Sequence, residues 1–550
     1  MYCLFLFNIK KIHNIFNKLT KLQGGVTMLR RLFVWFLLTA LVFTLTGSVM
    51  ADSHEGEYGG TLIYAQGADA DALDPHMTTL GNSADVIVNV FDGLVRFKAG
   101  TTEIEPALAT DWEISDDGLE YVFHLREGVE FHDGTAFNAE AVVFDIERQL
   151  DSDHPYYLEG SYPYAGFSLG MIDEVTAVDE YTVKFRLENP YAPFLKNLAM
   201  FATMIVSPEA VKEYGEDIFK NPVGTGAFKF VEWVRDDHIT LEANEDYWDG
   251  RPYLDELIFT VIPNNQTRLL ELEEGNIHLM EGLNPTDIER VRDNEELDLL
   301  EAPGLNIGYI ALHNEKEPFD NKNVRKAMNY AINKEEIAEY LMGGQATVAK
   351  GPLPPTIWSY DESLEGYPYD PDEAKRLLEE AGYGDGFEFT LRTYSAPRSY
   401  NPVGARLATA VQQYLSQVGI DAEIEQLEWG TYIEEGKAGK HTAAFFGWIA
   451  DNGDPDNFLN VFFNSDNRGS TNRAFYVNEE VDRLLEEAQQ ITDEAEREEL
   501  YQEVQQIVVD DAPFVFLNHM KMQIPIRKSV ENYVLYPTNN KYFHKVWLDE

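Results

Sequence analysis

Residues 369–383 read YDPDEAKRLLEEAGY, a segment that contains the signals for one helix and for both of its ends. Asp370 is suited to cap the first turn, and Pro371 fits the first helical position, where no backbone N–H is needed. The acidic residues that follow stand at the positive end of the helix dipole. An apolar stripe that begins at Leu377 marks the face that packs inward, and Gly382 ends the helix.

Helix-like and strand-like segments alternate on both sides of this helix. Asp320 is expected to cap a helix before it, and Arg406–Val418 is an amphipathic helix after it, which Gly419 ends and the strand-like Asp421–Leu427 follows. Further strand-like segments lie upstream: Gly60–Ala65, Tyr121–Leu125, Tyr181–Leu187 and Leu257–Ile262. This alternation is typical of α/β folds, and 550 residues are too many for one ordinary domain. We therefore predict two or three α/β lobes.

The chain is strongly acidic, with 43 lysines and arginines against 95 aspartates and glutamates and a formal net charge of −52. This charge excludes nucleic acid as a partner, because phosphate binding requires a basic surface. Acidic residues recur on nearly every predicted helix rather than in one tail. The even distribution favours adaptation to a saline exterior, where salt screens the repulsion, over a local patch that binds cations.

The N-terminal region has the pattern of a secretion signal. Residues 28–51 begin with the basic pair Arg30 and Arg31, continue with the apolar segment Leu32–Leu45 and end in the small residue Ala51. The apolar segment is shorter than the roughly 20 residues of a spanning helix. We therefore predict a signal peptide that is cleaved after Ala51, with an uncleaved membrane anchor as the alternative.

Residues 1–27 combine a lack of acidic residues with many lysines and asparagines, unlike everything downstream. Gln23–Val26, just before Met28, is the peptide that would result if a ribosome-binding site were translated. We therefore expect translation to start at Met28 rather than at Met1. The one cysteine, Cys3, lies in this region. The mature chain is then expected to have no disulfide and no cysteine for a lipid anchor, which predicts a free periplasmic protein.

The segment Asp451–Asn457 reads DNGDPDN and contains three carboxylates. A calcium-binding loop would need its glycine elsewhere and a glutamate at its twelfth position, so a turn rich in side-chain caps is favoured for Asp454 and Asp456. Asp451 differs, because it follows the apolar run Ala443–Ala450. This order predicts a carboxylate at a strand end that faces a cleft.

Arg398 stands among aromatic residues and prolines in the segment Tyr394–Pro402, YSAPRSYNP. An arginine there is either half of a structural ion pair or a clamp for an anion, since its planar guanidinium suits a carboxylate. Composition leaves both interpretations open. Trp358, Trp429 and Trp448 are each expected in the core when considered singly, with the wall of a pocket as the alternative.

Signatures of catalysis and of metal binding are absent from the sequence. The histidines show no metal-ligand spacing, and no GxSxG, P-loop or GxGxxG stands between a strand and a helix. Pairs of carboxylates occur throughout the chain, so a hydrolytic acid–base pair stays open as a pattern, but none stands out. We predict no enzymatic activity, no catalytic residue, no cofactor and no metal site.

Five motifs occur in an order that points to one family. They are DWEIS (111–115), EGVEFHDGTAFNAEAVVF (127–144), NPVGTGAFKF (221–230), PFDNKNVRKAMNYAIN (318–333) and YDPDEAKRLLEEAGY (369–383). In this order and spacing the chain resembles the family-5 extracellular solute-binding proteins of ABC importers. The resemblance extends from Gly59 to the C-terminus. LPPTIWSY (353–360), EWGTYI (428–433) and GWIADNGDPDNFL (447–459) are most similar to the dipeptide-binding branch of that family.

The resemblance implies roles for five residues. Arg398 would bind the C-terminal carboxylate of a peptide, and Asp451 would bind its α-ammonium group. Trp448 and Trp429 would line the pocket, and Thr79 would contact the ligand from the first lobe. An acid and an arginine at a fixed separation would measure peptide length, because each extended residue adds about 3.3–3.6 Å.

The implied fold is a two-lobed α/β periplasmic-binding-protein fold, type II-like, with an extra subdomain and a hinge between the lobes. We place lobe I at residues 52–308 and 517–550, and lobe II at residues 309–516. The crossings are expected near Asn306–Asn314 and Phe514–His519.

The implied function is the capture of dipeptides in the periplasm by a monomer that docks on an ABC permease complex of the inner membrane. The alternative within the same receptor class is another cargo: an oligopeptide, glutathione, a nickel complex, haem or an oligosaccharide. A secreted hydrolase is the alternative from a different class.

Overall fold

The computed structural model of the protein describes residues 56–394 and 398–549, and Glu57–Glu550 forms one compact unit. The predicted start at Met28, the signal peptide, its cleavage after Ala51 and the predicted lack of a lipid anchor all concern residues outside this range. Among the described residues, no helix has both the length and the apolar character that crossing a bilayer requires.

The strands are short except for the long β18, and most belong to one large sheet. In chain order they are β1 Thr61–Gln66, β2 Val95–Phe97, β3 Ile104–Pro106, β4 Ala109–Ile114, β5 Glu120–Leu125, β6 Ile172–Asp179, β7 Thr182–Leu187, β8 Phe228–Val234, β9 His238–Ala243, β10 Glu256–Val261, β11 Leu279–Met280, β12 Leu297–Pro303, β13 Asn306–Leu312, β14 Ala346–Val348, β15 Phe387–Tyr394, β16 Ile420–Leu427, β17 Ala443–Ile449, β18 Phe514–Arg527, β19 Val530–Glu531 and β20 Trp547–Leu548.

Helices alternate with these strands. They are α1 Gly81–Val90, α2 Ala139–Leu150, α3 Ala165–Ser168, α4 Phe194–Asn197, α5 Pro208–Tyr214, α6 Asn265–Glu274, α7 Ile288–Arg292, α8 Lys322–Ala331, α9 Lys334–Glu336, α10 Pro371–Glu380, α11 Ala405–Ser416, α12 Trp429–Lys437, α13 Asp456–Phe463, α14 Glu479–Gln490 and α15 Glu494–Asp511. This alternation confirms the predicted α/β class.

Local signals position these elements much as the sequence predicts. The Asp370 side chain accepts hydrogen bonds from the backbone N–H groups of Asp372 and Glu373 at the start of α10, and Gly382 has a φ of 86° just after its end. The prediction for Asp320 is wrong by one residue. Asn321 caps α8 instead, because its side chain accepts from the N–H of Asn323.

The large sheet is mixed and has the strand order β16-β15-β17-β13-β18-β11-β1-β10-β9-β8, with β12 and β14 also paired to β18. The first half of β18 pairs with β13, and its second half pairs with β12 over Leu297–Pro303. A separate antiparallel sheet has the order β4-β5-β7-β6. The strand β18 therefore lies in the middle of the large sheet and joins its two halves.

Three large apolar cores divide the described part of the fold, and a fourth, smaller one lies around α6 and α7. The C-terminal core is built from residues between Leu305 and Met520. The N-terminal core combines residues from Leu62 to Leu279 with the return segment Ile524–Leu548, and the subdomain core lies beneath the four-stranded sheet, between Leu94 and Ile205. The residue bounds that we gave for the two lobes stay a prediction.

Candidate functional site

Asp451 lies two residues beyond the end of β17, where the apolar run predicts it. Its side chain is half-buried, and the hydroxyl of Tyr164 donates a hydrogen bond to its Oδ2 at 3.1 Å. Tyr164 belongs to the part of the chain that forms the subdomain, so this bond joins two parts of the fold. Burial raises the pKa of Asp451 to about 6, although the bond from Tyr164 opposes the shift. A cation beside this carboxylate would relieve the cost of its desolvation.

The remainder of the acidic segment holds the C-terminal core against the subdomain. Asn452 donates to Oδ1 of Asn197 at 2.7 Å, and Nζ of Lys196 donates to the carbonyl of Gly453 at 3.3 Å. The hydroxyl of Tyr191 donates to Oδ2 of Asp456 at 3.2 Å. The function of this segment is therefore partly structural, in that it connects two cores across the cleft.

The turn predicted for the other two carboxylates is confirmed. The N–H of Asp454 donates to Oδ1 of Asn452 at 2.9 Å, and the N–H of Asp456 donates to Oδ1 of Asp454 at 3.1 Å. Asp454 also forms a buried ion pair with Arg497 at 2.7 Å. In the described residues, no group of three or more histidine, cysteine, aspartate or glutamate side chains is arranged to hold a metal ion.

Arg398 occupies a tight loop after β15. Its backbone N–H donates to the carbonyl of Asn401 at 3.0 Å, and the N–H of Asn401 donates back at 2.8 Å. The guanidinium carbon lies 3.5 Å from the centroid of the Trp429 ring, a cation–π contact that holds the side chain in place. Within the described residues, its Nε is buried without a hydrogen-bond acceptor, and no carboxylate lies within 4.0 Å of the guanidinium. Of the two interpretations of Arg398, this environment favours the anion clamp.

The two tryptophans pack against the C-terminal core and are both half-buried. Trp429 begins α12 and meets the ring of Tyr394 edge-on at 5.3 Å. Trp448 lies in β17, where its Nε1 donates to Oδ1 of Asn457 at 2.8 Å and its ring meets Phe462 edge-on at 6.0 Å. Each indole is thus fixed on one side by core residues.

A cavity of about 600 Å³ lies where the N-terminal and C-terminal parts of the chain meet. Arg398 and Ile449, the last residue of β17, both line it. In the described part of the chain, the charged residues of its wall are four basic side chains and one acidic side chain: Arg268, Arg398, Lys521, Lys541 and Glu281. In a chain with a net charge of −52, this central cavity is locally cationic.

Two of these basic groups already have protein partners. Nε of Arg268 donates to the carbonyl of Glu281 at 3.1 Å, and Lys541 lies 3.4 Å from Oδ2 of the buried Asp85. Burial raises the pKa of Asp85 to about 7, while Lys541 opposes that shift. Of the other two, Lys521 is exposed to solvent, whereas Arg398 has a buried Nε without an acceptor among the described residues, so Arg398 is the basic group in this wall that gains most from a ligand anion.

The predicted site residues do not all come together. Of the five, only Arg398 is among the described residues that line the central cavity. Trp429 contacts Arg398 without lining the cavity, and Trp448 and Asp451 flank Ile449, the last residue of β17, which does line it. Thr79 is exposed between the turn Pro75–Met77 and α1, and among the described residues it is not one of those that line this cavity. Its contact with ligand stays a prediction.

The sequence of the chain matches the family described as bacterial extracellular solute-binding proteins, family 5 middle, over residues 103–470. The chain belongs to this family. Its members are solute-binding proteins, and the two-lobed fold that the resemblance implies is confirmed.

Relatives of known name cover nearly the whole chain. The haem-binding protein A of Haemophilus influenzae is 40% identical over 505 residues, which are 89% of this chain and 92% of the relative. The dipeptide-binding protein of Escherichia coli is 36% identical over 93% of this chain and 97% of its own length. A periplasmic binding protein associated with an ABC transporter of Helicobacter pylori, solved with the peptide STSA, is 38% identical with a TM-score of 0.79. That match covers 90% of this chain and 99% of the other.

Two features of the site have no signal in the sequence. Tyr164 lies 287 positions from its partner Asp451, and nothing in its neighbours distinguishes it from other tyrosines. The cationic wall is equally hidden, because Arg268, Lys521 and Lys541 come from distant segments that only the tertiary fold brings together.

Proposed function

We propose that this protein captures dipeptides as zwitterions, with the carboxylate bound by Arg398 and the α-ammonium group by Asp451. The observation that carries the proposal is the state of Arg398, a guanidinium that is stacked on Trp429, lies in the cavity wall and has no carboxylate beside it in the described residues. A buried donor without an acceptor is costly, and a ligand carboxylate would satisfy it with charge-assisted hydrogen bonds.

The electrostatics of the other end of the site support the same ligand. Burial has raised the pKa of the Asp451 carboxyl, and among the described residues the hydrogen-bond partner of this side chain is the neutral hydroxyl of Tyr164. An ammonium group would supply the missing countercharge. A neutral sugar would leave both Arg398 and Asp451 without a charged partner, so these two residues favour a zwitterion over that cargo.

Haem is the second candidate cargo, and it is favoured by the relative at 40% identity that is named a haem-binding protein. Its propionates could use the basic groups of the central cavity. Haem has no ammonium group, however, so Asp451 would have no ligand partner. Binding of haem should therefore be insensitive to Asp451→Asn, and binding of a dipeptide should not.

Calorimetric titration of the mature protein with Ala-Ala in high salt tests the proposal. Arg398→Gln and Asp451→Asn should each weaken binding by about 2–5 kcal/mol, because each leaves one ligand charge without its partner. Arg376→Gln and Asp372→Asn are matched controls on α10, outside the central cavity, and should change the affinity little.

Chemically blocked ligands separate the two roles. The Asp451→Asn variant and the wild type should bind N-acetyl-Ala-Ala with nearly equal affinity, since that ligand has no ammonium group for Asp451 to pair with. Against Ala-Ala amide, Arg398→Gln should likewise lose its effect. If both variants bind Ala-Ala as tightly as wild type, the assignment of the site is wrong.

The remaining parts of the proposal concern the cell. We propose that the protein is exported after cleavage near Ala51, acts as a periplasmic monomer without a lipid anchor, and delivers its ligand to an ABC permease complex in the inner membrane. Family membership supports these roles. We also propose that it has no enzymatic activity; incubation with Ala-Ala followed by amine analysis should return the dipeptide intact.

A further inference from the structure

A second cavity, of about 430 Å³, adjoins the central cavity. The two cavities share Asn284, Pro285 and Pro402 in their walls, so they are neighbours separated by these residues. We call the second one the outer cavity. Arg398 lies in the wall of the central cavity, and Pro402, four positions later in the same loop, lies in the walls of both cavities.

Among the described residues, the lining of the outer cavity contains no aspartate or glutamate, and Arg406 is the charged residue in it. This composition is unusual in a chain that has 95 acidic residues. The other wall residues include polar and aromatic groups that suit a peptide, among them Gln266 and the highly exposed Tyr340.

The environment of Arg406 differs from that of the other arginines. Most arginines in the described ranges lie within 4.0 Å of a carboxylate, as Arg376 does on α10 and Arg483 does on α14. The others besides Arg406 that lack such a partner are buried or half-buried. Arg406 alone among the described arginines is exposed and forms no ion pair, and the first turn of α11 offers it no acidic residue.

We propose that Arg406 is a second carboxylate-binding residue at the outer end of the ligand cleft, which receives the terminal carboxylate of a tripeptide that extends past Arg398. The inference rests on the proposed function of the central cavity. In the strong negative field of this chain a peptide anion is repelled from most of the surface, and an unpaired guanidinium beside an acid-free wall is where it would be held. In this proposal, each added residue moves the carboxylate about 3.3–3.6 Å away from Arg398 and toward the outer cavity.

Titrations of the mature protein with Ala-Ala, Ala-Ala-Ala and Ala-Ala-Ala amide test this role. Arg406→Gln should weaken the binding of Ala-Ala-Ala about tenfold, the loss of one charge-assisted hydrogen-bonded contact. It should leave the affinities for Ala-Ala and for Ala-Ala-Ala amide within about twofold. Arg468→Gln is the matched control, since Arg468 is also exposed but is paired with Glu315 and lines neither cavity.

A second pair of ligands identifies the source of the carboxylate. If Arg406→Gln weakens the binding of Ala-Glu relative to Ala-Gln but leaves the binding of Ala-Ala-Ala unchanged, Arg406 binds an acidic side chain. That result would overturn the tripeptide assignment. Equal weakening of Ala-Ala-Ala and its amide, no weakening of either, or failure of the wild-type protein to bind Ala-Ala-Ala while it binds Ala-Ala would also overturn the inference. Failure of the wild type to bind any of these peptides would instead overturn the proposed function itself.

Discussion

The chemistry of Asp451 depends on where its carboxylate lies rather than on its neighbours in the chain. The tertiary structure takes this half-buried carboxylate partly out of water and supplies one neutral donor from the described residues, Tyr164, at 3.1 Å. Burial therefore dominates and raises the pKa to about 6. Arg398 has the opposite charge, and the Trp429 ring holds its guanidinium in place without neutralising that charge.

Peptide affinity should depend on pH through Asp451. As the pH falls through about 6, the carboxyl takes up a proton and can no longer pair with an ammonium group. Affinity for Ala-Ala should therefore be greatest near pH 7 and fall by about tenfold per pH unit below about pH 6, with a separate decline near pH 8 where the ligand's ammonium group loses its proton. Calorimetry between pH 4.5 and pH 8 measures the profile.

Two variants identify the group responsible. Asp451→Asn should abolish the decline below about pH 6, whereas Asp456→Asn, which removes a buried carboxyl whose pKa burial raises to about 7, should keep the step near pH 6.

The upward direction of the Asp451 pKa shift also predicts an effect on stability. A folded pKa above the ordinary 3.8 means that ionised Asp451 destabilises the unliganded fold at pH 7, so Asp451→Asn should raise its Tm there. A lower Tm would contradict this account.

At the scale of elements, two segments build the cleft. The strand β17 brings Asp451 to its end, and the segment that follows is bonded to residues of the subdomain. The strand β18 is shared by the C-terminal core and the part that carries β12, so its middle residues are where the two parts connect. Rotation of the two parts about this connection would open and close the central cavity.

The helix α10 offers a clean test of local structure. Asp370→Ala removes the acceptor for two N–H groups of the first turn and should lower the stability of this helix by about 1 kcal/mol. Hydrogen exchange of the α10 amides is the appropriate measurement, because it reports the helix rather than the whole chain. The exposed Glu379, in the last turn of the same helix, supplies the control Glu379→Ala. Equal exchange in the two variants would show that Asp370 does not act as a cap.

At the scale of the whole molecule, charge is distributed unevenly between the surface and the cleft. The net charge is −52, yet the central cavity has four basic side chains and one acidic side chain in its wall, and the outer cavity has Arg406 without any acid. The acidic surface keeps the protein soluble, while the cleft offers carboxylate ligands a local site of opposite charge.

Stability should rise with salt concentration. Repulsion among the acidic side chains is screened over about 10 Å at 0.1 M salt and about 3 Å at 1 M. Raising NaCl from about 0.1 M to about 1 M should therefore raise the Tm by about 5 °C or more, with most of the gain in the first few tenths molar. Scanning calorimetry measures this, and a neutral osmolyte at equal osmolality is the control. A Tm that does not change with NaCl would contradict adaptation to a saline exterior.

The sequence by itself determined the local elements and the family. Caps, glycine stops and apolar periodicity act over a few residues, so the ends of α10, α11 and β16 could be predicted to within one or two positions. The error in a predicted cap was of the same size, since Asn321 rather than Asp320 caps α8. The order of five motifs was sufficient for family membership and for the two-lobed fold. For Arg398 and Asp451, the residues alone left two interpretations each.

Only the tertiary structure decided what surrounds those two residues. Tyr164 reaches Asp451 from 287 positions away, and the cationic wall is assembled from segments as distant as Arg268 and Lys541. Arg406 reads in the sequence as an ordinary surface residue of an amphipathic helix, and only the acid-free cavity beside it suggests a ligand. The physical reason is that desolvation and the balance of charge in a cleft depend on three-dimensional neighbours, which no local pattern along the chain encodes.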